Sequence, residues 1–373
     1  MKPVRAIVFC LMLWGVAQAQ GASADFLKVT GPCAMTFPKD HGAHPGYRTE
    51  WWYYTGNVRT ASGRLFGFQL TFFRSQLGPG VDDGVLDGSS SPWRTNQMYL
   101  AHAALSDVEG KRFLYDQKAL RGALGLAGVE RTQEAVTVRV HPWWASIGHD
   151  RQELRAETAD FAMALRLVSQ KPPILHGLDG YSLKGSSPER ASCYYSFTRL
   201  AAEGEIRLGG ETHAVTGLAW MDHEYSSEPL EPGLQGWDWF SLQLSDGTEL
   251  MLFGLRQKDG SWHGASSGTF VDASGTARRL ARDDFSVDVL SSWKSPRSKA
   301  TYPSQWRLQV PALALDLHLK PHVADQELET ESSTGVTYWE GSIGCRGTRN
   351  GVPVEGAGYA ELTGYARPFD APL

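Results

Sequence analysis

The densest group of ionisable side chains follows a tryptophan, in the stretch "VTGLAWMDHEY" at residues 215–225. Strand alternation places Trp220, Asp222 and Glu224 on one face and His223 on the other. A carboxylic acid beside rings that exclude water can have a raised pKa and donate a proton. The pattern predicts Asp222 as a general acid with His223 in the catalytic group, and Trp220 and Glu224 as ligand contacts. A solvated turn with a structural histidine is the alternative interpretation.

A second candidate is the aromatic run "TEWWYYTGNV" at residues 49–58, in which a glutamate precedes four rings. Alternation places Glu50, Trp52 and Tyr54 on one face of a strand and the other two rings on the opposite face. Because both faces carry rings, we predict that one face packs against a second domain. We predict that an aromatic face lines a ligand cavity, with Trp52 and Tyr54 as ligand contacts and Glu50 at its edge. The plainer interpretation is that the whole run is core.

Histidines and acids near both stretches raise the question of a metal. His41 and His44 have the spacing His-x-x-His, and with Asp222, His223 and Glu224 they are conceivable ligands. Without a third regularly spaced ligand this is a weak zinc signal, so we predict neither a metal nor a cofactor. The sequence contains no Walker loop and no His-Glu-x-x-His motif, which argues against nucleotide-dependent and zincin chemistry.

The composition favours closed β structure. The chain has 373 residues, a net charge of -5, 13 Trp and 40 Gly, so it carries no basic footprint for nucleic acid. Short apolar-polar alternations, broken by Gly, Asn, Asp or Pro, recur along most of it. These observations predict an all-β protein in which helices are incidental.

Two pairs of stretches look like an internal repeat. Residues 51–54, followed by "LFGFQL", resemble residues 237–240, followed by "ELMLFGL". In the second pair, Gly217, Trp220 and Asp222 correspond to Gly356, Tyr359 and Glu361. The repeat predicts two related β domains, residues 30–227 and 234–368, and adds Trp237, Trp239 and Tyr359 to the predicted ligand contacts. Chance similarity between amphipathic strands is the alternative.

The surplus length of the first domain is predicted to lie in loops. Residues 75–97 are rich in Gly, Ser, Asp and Pro, which suggests a lid or an insertion over a barrel mouth. A second long connection is predicted over residues 141–190, where Trp143 and Trp144 either cover a pocket or plug a barrel end.

The N-terminus predicts export. Lys2 and Arg5 precede a short apolar run, and Ala17 and Ala19 are small residues at the usual cleavage positions. This is typical of a signal peptide, residues 1–19, and predicts a secreted or periplasmic protein. Three cysteines then remain, Cys33, Cys193 and Cys345, so at most one intramolecular disulfide can form, and its pairing stays open.

Several motifs together resemble the AttH-like family: "TEWWYYTGNV", "GLAWMDHEYSS", "GWDWFSLQLSDGTELMLFGLR", "YWEGSI" and "GAGYAELTGYARP". That family includes the bacterial carotenoid hydratases (hydroxyneurosporene synthases) and proteins described as predicted secreted hydrolases. The resemblance runs from about His41 to Arg367. It implies two lipocalin-like (calycin) barrel domains packed against each other, with an apolar cavity.

The hydratase branch adds water to an isolated carbon-carbon double bond, which needs an acid, rings that stabilise a cation and a positioned water. The resemblance implies Asp222 as the proton donor, with Glu50 or Glu361 holding the water. Because the chain carries a predicted signal peptide, we expect a lipid or another terpenoid rather than a carotenoid.

Two hypotheses follow from the sequence. The first is a hydratase or hydrolase acting on an elongated apolar molecule in a barrel cavity. The second is a non-catalytic periplasmic carrier associated with a membrane export system, because no complete catalytic constellation is present. The identity of the ligand and the oligomeric state stay open.

Overall fold

The computed structural model describes residues 25–79, 91 and 93–369. The predicted signal peptide, residues 1–19, lies outside the described residues, as do residues 80–90 and 92 of the predicted loop insertion. Within the described part, no helix is long and apolar enough to cross a membrane.

Strands make up most of the described chain, with three short 3-10 helices at Lys39–His41, Arg282–Asp284 and Pro311–Leu313. The strands of the first half are Thr49–Arg59 (β1), Leu65–Gln76 (β2), Gln97–Asp107 (β3), Arg112–Arg121 (β4), Ala127–Arg131 (β5), Ala135–Val140 (β6), Trp143–Gly148 (β7), Gln152–Glu157 (β8), Phe161–Ser169 (β9), Ile174–Leu175 (β10), Tyr181–Leu183 (β11), Ala191–Leu208 (β12) and Glu211–Ser226 (β13). Those of the second half are Leu234–Leu244 (β14), Glu249–Gln257 (β15), Ser267–Val271 (β16), Ala277–Leu280 (β17), Ser286–Lys294 (β18), Thr301–Val310 (β19), Leu315–Pro321 (β20), Glu327–Thr330 (β21), Val336–Arg349 (β22) and Val352–Leu362 (β23).

These strands form two antiparallel sheets, of 13 and 10 strands. The first has the order β4-β3-β2-β1-β13-β12-β9-β8-β7-β6-β5, with β10 and β11 paired to β12. Strands β5 and β6 return against β3 and β4, so this sheet nearly closes into a barrel. The second has the order β17-β16-β15-β14-β23-β22-β20-β19-β18, with β21 paired to β22. The predicted all-β fold is therefore confirmed.

Strand register supports the predicted internal repeat. In each sheet the first strand pairs with the last, β1 with β13 and β14 with β23. Equivalent residues face each other in both pairs: Tyr53 opposite Asp222 and Trp239 opposite Glu361, Val58 opposite Gly217 and Leu244 opposite Gly356. The two halves are thus built on one plan.

The repeated glycines are needed for close approach between strands. A Cβ on Gly217 would lie 2.1 Å from the backbone oxygen of Asn57, and a Cβ on Gly356 would lie 2.3 Å from that of Gln243. Any larger residue at either position would force the paired strands apart.

The interior of the first barrel is filled by side chains. Trp52, Tyr54 and Trp143 are fully buried in its core, and the Tyr54 hydroxyl donates to Gln152 at 2.8 Å. The predicted connection over residues 141–190 is wrong in its first part, because β7, β8 and β9 lie there. In β7 the buried residues Trp143, Ala145 and Ile147 alternate with less buried ones. Because this strand contains small Ala and Ser residues, the alternation of apolar and polar positions is not evident in its sequence.

One disulfide joins Cys33 to Cys193 on β12, and Cys345 is a buried free thiol. The bridge ties the segment that precedes β1 to the centre of the first sheet. It resolves the pairing that the sequence leaves open.

The two sheets pack against each other along β1, β2, β22 and β23. Polar contacts cross this interface: Asn57 Nδ2 donates to the Gly358 carbonyl at 3.1 Å, and Gln69 Nε2 donates to Glu340 Oε2 at 2.8 Å. The prediction that one face of the aromatic run packs against a second domain is confirmed.

Candidate functional site between the two barrels

The faces of β1 and β14 that point away from the barrel interiors carry aromatic rings that meet at the interface. Tyr53 and Trp239 pack edge to face with ring centroids 5.3 Å apart, and Trp220 packs on Trp239 at 6.3 Å. These rings belong to an apolar cluster that draws residues from both sheets.

A cavity of about 190 Å³ lies beside this cluster. Its walls are mostly apolar and aromatic, and they include Trp51, Phe73, Tyr194, Trp237, Trp239 and Phe253. Five acidic residues also line it, Asp222, Glu224, Glu228, Glu340 and Glu361, and of these Asp222, Glu224 and Glu340 are buried. The site is therefore an aromatic chamber that contains buried acids, which is a common composition for a small-molecule site.

Asp222 lies on β13 and is almost completely buried. Its Oδ1 accepts hydrogen bonds from Trp220 Nε1 at 2.6 Å and from the Ser196 hydroxyl, and its Oδ2 accepts from the Tyr194 hydroxyl at 2.7 Å. Burial raises the pKa of Asp222 to about 7, although these three donors act against the rise. A carboxyl with a pKa near neutrality can hold and release a proton under ordinary conditions.

Behind Asp222 the hydrogen bonds continue to a buried histidine. His176 Nε2 lies 2.6 Å from Ser196 Oγ, and His176 Nδ1 lies 2.8 Å from Thr269 Oγ1 of the second sheet. Burial lowers the pKa of His176 to about 3, so this ring is neutral. The chain of contacts fixes the orientation of Ser196 and thereby that of Asp222.

Glu340 and Glu361 face each other across β22 and β23. Burial raises the pKa of Glu361 to about 8, with Asp222 and Glu224 adding to the rise and the Trp237 side chain opposing it. Burial and the neighbouring Glu361 hold the pKa of Glu340 well above its usual range. Two carboxyls at such close range do not both ionise readily, so the pair retains protons at neutral pH.

Glu224 differs from the other acids because it is neutralised. The Lys184 ammonium lies 2.9 Å from Glu224 Oε1, and the Ser192 hydroxyl donates to the same oxygen. Lys184 also lies over the Phe253 ring at 4.1 Å from its centroid. Glu224 thus anchors a cation in the cavity wall.

The opposite face of the same strands carries a separate charge network inside the first barrel. Glu50 Oε1 lies 2.7 Å from both His44 Nδ1 and His223 Nε2, and Arg74 Nε donates to Glu50 Oε2 at 2.8 Å. Burial would raise the pKa of Glu50, but the two histidines hold it well below its usual range. These partners explain why a carboxylate is stable at a fully buried position.

The same cluster bears on the metal question. His44, Glu50 and His223 place three possible ligand atoms within 4.8 Å of one another. The guanidinium of Arg74 already neutralises Glu50, and both rings are hydrogen-bonded to it. We therefore interpret the cluster as a closed network of protein charges and assign no metal to it.

The structure divides the predicted site residues into three groups. Five line the cavity: Asp222, Glu224, Glu361, Trp237 and Trp239. Two are buried in the cluster beside it, Trp220 and Tyr359. Four point into the first barrel and do not line the cavity: Glu50, Trp52, Tyr54 and His223. The predicted alternation within "WMDHE" holds, because Asp222 and His223 lie on opposite faces.

Sequence reasoning missed several cavity residues. Trp51 and Tyr53 occupy the face of β1 that is predicted to pack against the second domain, and that face lines the cavity as well. Glu340, in the motif "YWEGSI", also lines the cavity, as do Tyr194 and Gln69, and none of the three is among the predicted site residues. Strand alternation alone gives no means of finding these, because their grouping depends on contacts between the sheets.

The fold and the cavity define a two-domain all-β protein with an acid-containing apolar site at the domain interface. The chain belongs to the AttH-like family, whose model matches residues 28–365. The predicted resemblance to that family is therefore confirmed, and it covers nearly all of the described chain.

Two crystal structures show the same architecture. An AttH-type protein from Nitrosomonas europaea is 38% identical, with a TM-score of 0.79, covering 91% of this chain and 100% of that one. Kievitone hydratase from Nectria haematococca is 14% identical, with a TM-score of 0.68, covering 92% of this chain and 97% of that one. The likeness confirms the predicted fold of two packed lipocalin-like domains. No curated protein matches this chain.

Proposed function

We propose that the protein binds an apolar molecule of the lipid or terpenoid type in the interdomain cavity and hydrates one of its double bonds by acid catalysis. The observation that carries this proposal is Asp222, a buried carboxyl with a pKa raised to about 7 that faces an aromatic chamber. A protonated carboxyl at neutral pH is the acid that an unactivated alkene requires.

The hydrogen bonds around Asp222 indicate where its proton resides. An indole N–H only donates, so Asp222 Oδ1 remains an acceptor from Trp220. The proton therefore sits on Oδ2, where it can be donated to the Tyr194 hydroxyl. That hydroxyl also accepts from Trp239 Nε1 at 3.1 Å, which leaves its own hydrogen free to point into the cavity. Tyr194 then relays the proton to the substrate.

The remaining groups fit the later steps. The transferred proton forms a C–H bond with the alkene π electrons and leaves a cation on the neighbouring carbon, which the π faces of Trp51, Trp237 and Trp239 can stabilise. Glu361 holds the water whose oxygen adds to that carbon. The oxonium ion that results loses one proton, which restores the acid form of Asp222. The net change is the addition of one water.

The cavity size favours a modest substrate. An apolar cavity of about 150 Å³ holds a benzene-sized molecule, so the volume of about 190 Å³ encloses a somewhat larger group. The reacting end of a short terpenoid fits inside, whereas a carotenoid would extend far beyond the chamber. The site lies between the barrels, so the expectation of a ligand inside one barrel is replaced by an interdomain ligand.

A carrier without catalysis is the second candidate, and one observation favours it. Both oxygens of Asp222 are engaged by protein donors, as expected for a carboxyl whose role is to hold Tyr194 and Trp220 in place. In that case the protein would bind the same apolar ligand and release it unchanged, for example to a membrane export system.

Export from the cytoplasm remains part of the proposal. The predicted signal peptide supports it, as does the disulfide between Cys33 and Cys193, since such bridges form and persist mainly in oxidising compartments.

The first experiment is native mass spectrometry of the protein purified from its own cells, followed by organic extraction of any bound molecule. The extracted molecule is then incubated with the protein in isotopically labelled water. A product heavier by one labelled water supports the hydratase, and an unchanged bound molecule supports the carrier. Finding no apolar molecule that binds would contradict both.

A further inference from the structure

Within the described part of the chain, five buried side-chain atoms lack a well-formed hydrogen bond, and three of them belong to residues that line the cavity. These three are the Tyr53 hydroxyl, Gln69 Oε1 and Glu340 Oε1. Tyr53 and Gln69 come from the first sheet and Glu340 from the second. Buried polar atoms without partners are rare in proteins and need an explanation.

The hydrogen-bonding capacity of each atom can be read from its neighbours. Gln69 Nε2 donates to Glu340 Oε2 at 2.8 Å and to Thr71 Oγ1 at 3.0 Å, which fixes the amide and leaves Oε1 as an acceptor. The Tyr53 and Tyr338 hydroxyls lie close enough to Glu340 to lower its pKa, but Tyr53 and Glu340 do not form a well-aligned bond. Because burial and Glu361 keep Glu340 protonated, that carboxyl does not require the Tyr53 hydrogen, which can be donated to a ligand.

We propose that Tyr53, Gln69 and Glu340 form a subsite for a hydroxyl group in the wall of the cavity, where the two sheets meet. A hydroxyl can donate to Gln69 Oε1 while it accepts from the Tyr53 hydroxyl. A carboxylate cannot donate to Gln69, and it would face Glu340 and Glu361. An ammonium cannot accept from Tyr53. Of the hydroxyl, carboxylate and ammonium groups, only the hydroxyl can both donate to Gln69 Oε1 and accept from the Tyr53 hydroxyl.

This inference rests on the proposed binding of an apolar ligand and specifies its polar end. The hydroxyl has two possible sources: a hydroxyl of the substrate, or the adding water, which the subsite would then hold together with Glu361 opposite Glu340. Both have the same hydrogen-bonding chemistry. In either case, the position of the subsite at the interface of both sheets means that the ligand is held by the two domains together.

The test is a binding series with the full-length protein and four ten-carbon probes: geraniol, its deoxygenated hydrocarbon, geranylamine and geranic acid. Quenching of tryptophan fluorescence reports binding, because three tryptophans line the cavity. Tyr53→Phe removes the orphan hydroxyl with little change of shape. Tyr54→Phe is the matched control, since the neighbouring hydroxyl bonds to Gln152 inside the first barrel. Gln69→Met tests the acceptor independently.

We expect geraniol to bind about tenfold more tightly than the hydrocarbon, as the combined net gain from two buried hydrogen bonds implies. Tyr53→Phe and Gln69→Met should each remove most of that advantage and leave hydrocarbon binding unchanged, and Tyr54→Phe should preserve it. Equal binding of alcohol and hydrocarbon would refute the subsite while leaving apolar binding intact. Tighter binding of the amine or the acid would also refute it, and failure of all four probes would overturn the proposed function as well.

Turnover of the molecule recovered from cells separates the two sources of the hydroxyl. If the subsite holds a substrate hydroxyl, Tyr53→Phe raises KM with little change in kcat. If it holds the adding water, Tyr53→Phe lowers kcat with little change in KM. An unchanged kcat and KM would contradict both forms of the proposal.

Discussion

The two sheets place a carboxyl group at the same position of the repeat but surround it differently. Asp222 in the first sheet has Ser196 as its neighbour on the adjoining strand, whereas Glu361 in the second has Glu340. Ser196 donates a hydrogen bond to Asp222, while Glu340 adds a second acid. At the same position of the repeat, the first sheet therefore holds a single buried carboxyl surrounded by hydrogen-bond donors, whereas the second holds two carboxyls side by side.

This difference suggests that the carboxyls of the two sheets have different roles in the cavity. The donors around Asp222 fix its geometry, which suits a group that transfers a proton along one path. The pair in the second sheet keeps protons and leaves one oxygen of Glu340 unpartnered, which suits a group that binds a polar atom of a ligand. Each of the following predictions tests the two halves against each other.

The largest expected effect is on turnover. Asp222→Asn should lower kcat/KM by about a hundredfold to ten-thousandfold, because it removes the proposed general acid, whereas Glu361→Gln should lower it by only about tenfold. The measurement is the rate of water addition to the molecule recovered from cells, with ligand affinity as the control. If Glu361→Gln abolished turnover and Asp222→Asn did not, the acid would lie in the second sheet.

The next effect concerns stability and contrasts two buried glutamates of the interface. Glu249 is paired with Lys171, whose Nζ lies 2.6 Å from Oε2, and with Arg199, both largely buried. Glu249→Gln should destabilise the fold by about 3 kcal/mol, because two buried cations lose their partner. The measurement is the free energy of unfolding in urea.

Glu340→Gln should act in the opposite direction. No salt bridge to Glu340 occurs among the described residues, and its carboxyl faces Glu361. Replacing it with a neutral amide should stabilise the protein by about 1 kcal/mol at pH 8. A loss of stability in both Glu249→Gln and Glu340→Gln would mean that the charge of the Glu340 carboxyl is neutralised by a partner in solution.

These contrasts also show what a sequence can reveal. Strand alternation correctly places Asp222 and His223 on opposite faces. The repeat correctly identifies Glu361 as the residue equivalent to Asp222. The sequence could not show which face of β1 points into the barrel, because both faces carry rings. The sequence predicts Glu50 at the edge of a cavity. In the structure Glu50 instead bonds to Arg74, which comes from a neighbouring strand. Contacts across the interface, such as that of Gln69 with Glu340, depend on how two folded sheets meet.

A smaller effect is the pH dependence of stability. The pKa of Asp222 rises on folding from 3.8 to about 7, and that of Glu361 from 4.5 to about 8. The unfolded chain therefore loses these protons first, so the contribution of these two carboxyls to stability is greatest below their unfolded pKa values and falls as pH rises through each window. Glu361→Gln should remove the decline between pH 7 and 8, and Asp222→Asn should remove part of it below pH 7. Urea titrations at several pH values measure both, and stability that rises over this range in the native protein would contradict the assignment.

The smallest effect compares Trp220 with Tyr359, which occupy equivalent positions beside the two carboxyls. Trp220→Phe removes the donor at 2.6 Å from Asp222 Oδ1, so the pKa of Asp222 should rise further. Because the acid must be protonated to act, the decline of kcat/KM at high pH should then begin at a higher pH. Tyr359→Phe is the matched variant, since the Tyr359 side chain bonds to Ser106 and its loss should leave the pH profile unchanged. An equal shift in both variants would mean that the profile reports general loosening of the interface; a shift in Trp220→Phe alone would locate the titrating group in the first sheet.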